Sequence, residues 1–216
     1  MRFITGGVFL FFILMFNGQA HAQYRIFGGP QLSSAKYSIR NAKQETDFKT
    51  GFMAGISSTS HVEGPLYVVP TLYFSRKGYK VTYDRQGAPP DSAALNNNTT
   101  VNTIAFSPLL QLNLGQAASN FFVRVGPGIE VNISGNEVFD TLANRPVNRS
   151  MRFGSTSYSP ATAFATFQFG WETAGGLSLF THYEHGLSNL NNADRGPMIL
   201  HRAAGLSVAY RLGKKR

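Results

Sequence analysis

The feature of this sequence that most constrains its fold is an alternation of side-chain character between residues 121 and 134. Apolar side chains and Pro127 occupy the odd positions, whereas the even positions from Arg124 onward carry Arg, Gly, Glu, Asn and Ser. A helix would scatter these two sets around its circumference, but a β-strand places alternate side chains on opposite faces. The segment is therefore predicted to be a strand with one apolar face and one polar face.

Seven further segments show the same period of two, which predicts eight strands in total. The pattern is clear in residues 66–77, 103–114 and 205–212, apart from Leu109, which lies on the polar side. It is weaker in four other segments. These are residues 24–32, 50–60, 158–173 and 177–189.

The connections between these strands alternate between short and long. An up-and-down barrel with tight periplasmic turns and longer outer loops predicts this alternation, and an even strand number brings both chain ends to the periplasmic side. The predicted fold is an all-β, eight-stranded, antiparallel transmembrane barrel. The short links are residues 60–65, 115–120 and 174–176, and the long links are residues 33–49, 78–100, 135–157 and 190–197.

The N-terminal residues predict export. Arg2 supplies a positive charge, residues 8–16 form an uninterrupted apolar run, and Ala20 and Ala22 give the small-x-small pattern of a cleavage site. We therefore expect residues 1–22 to be a signal peptide and residues 23–216 to form one outer-membrane barrel domain. The sequence has no cysteine, which excludes disulfides, thiol catalysis and a lipid thioether at the mature N-terminus.

Two kinds of barrel fit the alternation. No later stretch approaches the ~20 apolar residues of a membrane-spanning helix, so any membrane crossing must use strands. A soluble lipocalin-type barrel, with its apolar face around a ligand, has the same period. The Gly, Ser and Thr on the polar face suit a lumen better than a soluble surface, and this favours the membrane form. Pro70, Pro108 and Pro127 are expected at bulges or edges.

The formal net charge of +9 raises the question of a nucleic-acid partner. The basic residues are dispersed, and their dense cluster is the tail formed by Arg211, Lys214, Lys215 and Arg216. No nucleic-acid motif accompanies them, so no nucleic-acid partner is expected. Outer-membrane lipid is the expected surrounding, and lipopolysaccharide phosphates could contact the basic side chains.

Charged residues on the polar face are predicted to lie inside the barrel. An eight-stranded barrel is filled by its own side chains, so buried charges must pair with each other or with trapped water. We expect a polar plug without conductance. The predicted lumen network is Lys77, Arg124, Glu130, Glu172, Glu184 and Arg211.

A search for catalytic or metal-binding patterns gives one weak candidate. His182 and His185 fall on opposite faces of a strand and cannot share a metal, so neither a metal nor a cofactor is expected. If Ser178 lies opposite Ser207, Glu184 lies opposite His201, and this pair could orient a base in a lipid hydrolase. A simple hydrogen bond in the lumen or at the rim is the favoured interpretation.

Seven aromatic residues fall near predicted strand ends, where amphipathic rings suit the lipid headgroup level. Ordinary packing within the barrel is the alternative for each of them. The seven residues are Tyr73, Phe74, Tyr79, Tyr83, Tyr158, Trp171 and Tyr210.

Short motifs along the mature chain resemble the outer-membrane β-barrel domain common in Bacteroidota, which includes the PorT protein of the type IX secretion system. Two departures are Ser107, where an apolar residue is typical, and three basic residues at the end, where the family has an aromatic. The motifs are GFMAG at 51–55, LYFSRKG at 72–78, PLL at 108–110, VGPG at 125–128, GLS at 205–207 and YRL at 210–212.

The resemblance implies an eight-stranded outer-membrane barrel without assigned catalytic residues. The leading functional prediction is a non-enzymatic structural or interaction barrel that binds a protein partner through its outer loops. Residues 78–100, which include Pro89, Pro90 and Asn96, are the expected contact loop. By the resemblance, a component of a secretion apparatus is the alternative, and a lipid-modifying hydrolase is a third.

Overall fold

The computed structural model describes residues 23–84, 94–115, 117–141, 145–194 and 196–213. The predicted signal peptide, part of the predicted contact loop at 85–93 and the basic tail at 214–216 lie outside the described residues. Within the described ranges, no helix is both long and apolar enough to cross a bilayer.

Eight long strands pair antiparallel in chain order, and the last strand closes on the first, as predicted. The closure runs from Tyr24 opposite Leu212 to Ser38 opposite Met198. Such a ring leaves no long unpaired edge. The eight strands are β1 (Gln23–Ile39), β4 (Lys49–Glu63), β5 (Leu66–Thr82), β6 (Asn96–Leu114), β7 (Asn120–Asp140), β9 (Ala161–Glu172), β10 (Leu177–Gly186) and β11 (Met198–Leu212).

Three short strands attach to the ring on the side of the long connections. Strand β2 (Ala42–Lys43) pairs with β1, and β3 (Glu45–Asp47) pairs with β5, so residues 40–48 stay close to the barrel wall. Strand β8 (Pro146–Ser150) pairs with the end of β7.

The apolar face of the sheet points outward. Ile129 and Val131 on β7 are 61% and 54% exposed, whereas Glu130 between them is 3% exposed. The same division holds on every strand of the ring, and the exposed aliphatic and aromatic side chains form a continuous outer band. A lipocalin-type barrel would enclose these side chains, so the soluble alternative is wrong.

The strands are longer than the outer band. On β5 the outward side chains are apolar from Leu66 to Phe74 but basic at Arg76 and Lys80. About nine residues of β5 therefore lie within the band, close to the length that spans a bilayer. The remaining residues form what we call the strand extension, which consists of residues 77–82 of β5, 96–101 of β6 and 135–140 of β7.

The strand extension corrects the predicted strand ends. We expected loops to begin at Gly78 and Gly135, but pairing continues to Thr82 opposite Asn96 and to Asp140 opposite Pro146. The apolar alternation ends at the edge of the band because outward side chains beyond it face a polar surrounding. The hydrogen-bonded ladder does not need that alternation and extends further.

The lumen contains two apolar layers in addition to its charges, so the predicted polar plug is only part of its filling. A belt across the middle contains Phe27, Tyr73, Phe122, Phe164 and Phe180. A second cluster lies toward the end of the barrel that carries the long connections, and it includes Tyr37, Tyr79 and Ile199, with Tyr83 and Tyr158 packed against it. Tyr73 and Tyr79 were predicted at the headgroup level, but their side chains are 4% and 0% exposed and lie inside.

Glycines on the inner face make room for the aromatic belt. A Cβ atom on Gly128 would lie 2.2 Å from the ring of Phe164, and one on Gly170 would lie 2.5 Å from Cβ of Phe180. Real side chains do not approach so closely. Small residues opposite large ones are how a narrow barrel accommodates its filling.

The strand prolines lie where the ladder tolerates them. Pro70 faces Pro108 across β5 and β6. Pairing between β6 and β7 lapses from Phe106 opposite Ile129 to Leu110 opposite Val125, the stretch that holds Pro108 and Pro127. A missing backbone donor explains the gap.

Candidate functional site

A buried ion cluster lies near the short-turn end of the lumen. Arg25 donates to both carboxylate oxygens of Glu172 at 2.9 and 2.8 Å, and Arg211 donates to Oε1 of the same carboxylate at 3.2 Å. Two guanidinium groups thus share one carboxylate. Arg25 also donates to Thr59, and Arg211 donates to the Ala174 carbonyl at 3.1 Å. The predicted pair Glu172 and Arg211 is brought together here.

Sequence analysis missed Arg25, which is only 3% exposed. The strand alternation could have placed Arg25 in the lumen, because Arg25 lies between the outward-facing residues Tyr24 and Ile26. Glycines at 28 and 29 blur the pattern in this strand. The charge was therefore not assigned to the lumen.

Arg124 stands apart from the carboxylates. Its Nε donates to Oε1 of Gln111 at 2.6 Å, and its guanidinium donates to Gln168 at 3.3 Å. The guanidinium carbon lies 4.2 Å from the ring centroid of Phe122, an arrangement in which a planar cation is attracted to the ring face. Among the described residues, no carboxylate forms a salt bridge with Arg124, which was predicted to belong to a polar lumen network whose charges pair with each other or with trapped water.

A second ion cluster lies on the other side of the aromatic belt. Nζ of Lys77 is 2.5 Å from a carboxylate oxygen of Glu130 and 3.4 Å from one of Glu184. The hydroxyl of Tyr73 donates to Glu184, and that of Thr162 donates to Glu130 at 2.9 Å. The three predicted residues Lys77, Glu130 and Glu184 therefore lie together, each 3% exposed.

The proposed pair of Glu184 and His201 does not form. Ser178 lies opposite Ala209, and Glu184 lies opposite Ala203, a shift of two residues from the assumed register. Tyr73 and Lys77 take the two carboxylate oxygens of Glu184. His201 instead packs against the ring of Tyr79, with a centroid distance of 5.6 Å. This geometry does not provide the oriented base that a hydrolase needs.

The mouth of the lumen at the end with the long connections is held by a buried carboxylate. Glu137 is 1% exposed, and its Oε1 accepts from Asn97 at 2.9 Å and from the hydroxyl of Tyr158. Its Oε2 accepts from Nε of Arg149 on β8 at 3.0 Å. We call this arrangement the mouth clamp, because it joins β6, β7, β8 and the segment before β9.

Burial keeps the tyrosines around the mouth protonated. Desolvation, together with the nearby Tyr79 and Glu137, raises the pKa of Tyr158 well above its ordinary value. Burial also raises the pKa of Tyr83. Both hydroxyls therefore remain hydrogen-bond donors across the physiological pH range.

The charged groups of the lumen are paired mainly within the barrel. Its charges are largely satisfied by one another, and aromatic rings separate the two ion clusters. No group of three or more metal-ligating side chains occurs within the described ranges. The end of the barrel that carries the long connections, which we call the outer end, is formed by the strand extension, β8 and residues 151–160, and it is the candidate interaction site.

Comparison with known proteins gives a family and a set of distant solved structures. The chain matches the family described as outer membrane protein beta-barrel domain over residues 15–192. No curated protein matches it.

Two solved structures match the chain at low identity. One is Ail, the attachment invasion locus protein of Yersinia pestis, in complex with the heparin analogue sucrose octasulfate, with 12% identity, a TM-score of 0.46 and coverage of 88% of this chain and 99% of that chain. The other is Neisserial surface protein A (NspA), with 11% identity, a TM-score of 0.46 and the same two coverages.

Proposed function

The chain belongs to the outer-membrane protein β-barrel domain family, and from this premise we propose that it is a non-enzymatic interaction barrel whose outer end binds a protein partner. Family membership also places the protein in the bacterial outer membrane. The apolar outer band anchors it there among lipids, including lipopolysaccharide.

The observation that carries this proposal is the strand extension together with the mouth clamp. The barrel wall continues beyond the apolar band, and Glu137 ties β8 and Tyr158 to it. This end of the barrel is therefore a fixed polar platform. Binding surfaces are commonly loops positioned by a rigid scaffold, and this end has that construction.

The lumen supports the non-enzymatic part of the proposal. Glu184, the best candidate for orienting a base, is held by Tyr73 and Lys77, and His201 lies against Tyr79. The other charged side chains of the lumen stabilise the interior of the barrel. We assign the six predicted lumen residues to that structural role.

We also propose that residues 1–22 are removed on export and that both ends of the mature chain face the periplasm. The lack of native cysteine makes the orientation directly testable. Ser155→Cys lies beside the mouth, and Ala118→Cys lies on a short turn. A membrane-impermeant maleimide should label intact cells of the first variant, and should label the second only after the outer membrane is permeabilised. The opposite pattern would reverse the orientation.

A photo-crosslinking amino acid, introduced in living cells, tests where a partner binds. We expect a defined adduct from position 148 or 155 at the outer end, and none from lipid-facing position 131 or from turn position 118. Adducts from position 118 alone would contradict the proposal. They would instead support the alternative from the PorT resemblance, a component of a secretion apparatus.

A further inference from the structure

A lateral cleft of about 420 Å³ opens on the outside of the barrel. It forms where residues 40–48 fold back over β1, and the hydroxyl of Ser34 donates to that of Thr46 at 3.4 Å. Phe48, which is 70% exposed, forms one wall. The floor spans β1, β11 and β10.

The floor of the cleft changes from apolar to basic along the strands, where each row is a set of residues paired across β1, β11 and β10. Leu32, Ala204 and Tyr183 lie side by side in register across the three strands and continue the apolar outer band. Two residues further out, about 7 Å along the strands, Arg202 lies opposite Ser34. Lys36 follows on β1 in the next row. The cleft therefore crosses the level where acyl chains give way to headgroups.

The rim of the cleft is positively charged. Lys36, Lys43 and Arg202 all line the cleft and are exposed. Within the described ranges, none of these three side chains forms a salt bridge. Such a group of cations over an apolar floor matches a molecule with phosphates at one end and acyl chains at the other.

We propose that this lateral cleft binds a phosphorylated glycolipid of the outer leaflet, the lipid A part of lipopolysaccharide. Its phosphates bind Lys36, Lys43 and Arg202, and an acyl chain lies against Leu32, Tyr183 and Phe48. Three cations in one cleft favour a lipid with more than one phosphate. The inference rests on the orientation proposed above, since only that orientation places the cleft in the outer leaflet.

Native mass spectrometry of the folded protein in detergent tests the cleft, with purified diphosphoryl lipid A and its dephosphorylated form as probes. Lys36→Gln with Arg202→Gln should weaken binding of the diphosphoryl form about tenfold or more, since each cation contributes roughly 1 kcal/mol to such contacts. The matched control removes two other exposed cations of the wall, Arg76→Gln with Lys80→Gln, and should bind as the unaltered protein does. Heat-modifiable gel migration checks that both variants are folded.

Phe48→Ala separates the apolar contribution from the ionic one. It should weaken binding of both lipid forms by a similar factor, whereas the charge variant should lose the preference for the phosphorylated form. Equal binding of the two lipid forms by the unaltered protein would overturn the proposal. So would equal effects of the cleft and control variants.

This measurement in detergent is independent of orientation in the cell. Failure of the lipid assay and failure of the cysteine labelling are therefore distinguishable. If the cleft binds lipid A but Ser155→Cys is not labelled in intact cells, the site chemistry stands and its assignment to the outer leaflet is overturned.

Discussion

Lys77 lies between two carboxylates inside the barrel, where the strand extension of β5 begins. Its ammonium group is in ion-pair distance of Glu130 and Glu184, and the ring of Phe164 lies 5.6 Å away. Removal of one partner from a buried ionic group costs far more than the group contributes when complete, because uncompensated charge remains. The interior therefore depends on Lys77 more than on any exposed cation of β5.

We predict that Lys77→Met lowers the free energy of unfolding by roughly 3–5 kcal/mol, because it leaves two buried carboxylates unpaired. Urea unfolding of the protein in lipid vesicles measures the change. Lys80→Met, which removes an exposed cation from the same strand, should stay within about 0.5 kcal/mol of the unaltered protein.

The same assay can show that the loss arises from charge. A triple variant that also carries Glu130→Gln and Glu184→Gln should recover most of the stability, since no unpaired charge remains. If Lys77→Met unfolded like Lys80→Met, the ion cluster would not contribute as described.

At the scale of elements, β8 is the part of the outer end that depends most on a single residue. It is five residues long and pairs only with the end of β7 among the described residues. Arg149 reaches the Glu137 carboxylate, and its guanidinium lies 5.0 Å from the ring centroid of Phe139. So short a strand needs side-chain anchors to remain ordered.

We predict that Glu137→Ala opens the mouth while the ring stays closed. Hydrogen bonds to a charged group contribute about 1.5–3 kcal/mol each, so trypsin cleavage at Arg145, Arg149 or Arg152 should accelerate about tenfold or more. Limited proteolysis of the protein in vesicles gives the rate.

Asp140→Ala is the matched control, because it removes an exposed carboxylate from the same strand, and among the described residues this carboxylate accepts a hydrogen bond from Asn96 alone, at 2.8 Å. Its cleavage rate should change little. Equal acceleration in both variants would show that the mouth clamp does not hold β8.

Much of the fold could be predicted from strand periodicity, and the reasons for the errors are physical. The apolar alternation identified the eight strands of the ring, since lipid contact imposes it on every outward position. It could not give their outer ends, because beyond the band Arg76 and Lys80 face a polar surrounding. It also could not give the register of β10 on β11, because a shift of two residues keeps every side chain on the same face.

The inner face was harder to predict than the outer one. Charged residues such as Lys77 and Glu130 could be assigned to the lumen because they alternate with outward apolar residues. Their ion-pair partners could not be predicted, because these depend on the curvature of the closed barrel. Tyr79 and Tyr158 illustrate the difficulty, since an amphipathic ring near a strand end suits either a headgroup or a packed interior. In this barrel the interior extends past the band, so both rings contribute to the filling of the lumen.

For the molecule as a whole, the layered lumen predicts the absence of a wide pore. An eight-stranded barrel is just wide enough for its own side chains, and here Phe27, Phe122 and Phe180 cross the middle between the two ion clusters. Single-channel recordings of the purified protein should show no stable large openings. Uniform openings that persist in repeated preparations would contradict the packing of the belt.

The outer band leads to a second prediction for the whole molecule. The free-energy cost of an outward-facing charge should vary with its depth in the bilayer. Arginine can be placed on the outward face of β7 at four depths, as Phe121→Arg, Val125→Arg, Ile129→Arg or Ile133→Arg. The cost should be roughly 2–4 kcal/mol at the bilayer midplane and about 0–1 near either interface. Val125→Arg and Ile129→Arg should therefore destabilise the most.

Unfolding in vesicles measures this profile, and Asn148→Arg on exposed β8 is the control with no expected cost. The shape of the profile matters more than its height, because a barrel in water would show no dependence on depth. A peak between Val125 and Ile129 would fix the bilayer midplane on the wall and place Arg76 and Arg202 near the outer boundary. A flat profile would mean that acyl chains do not contact this face.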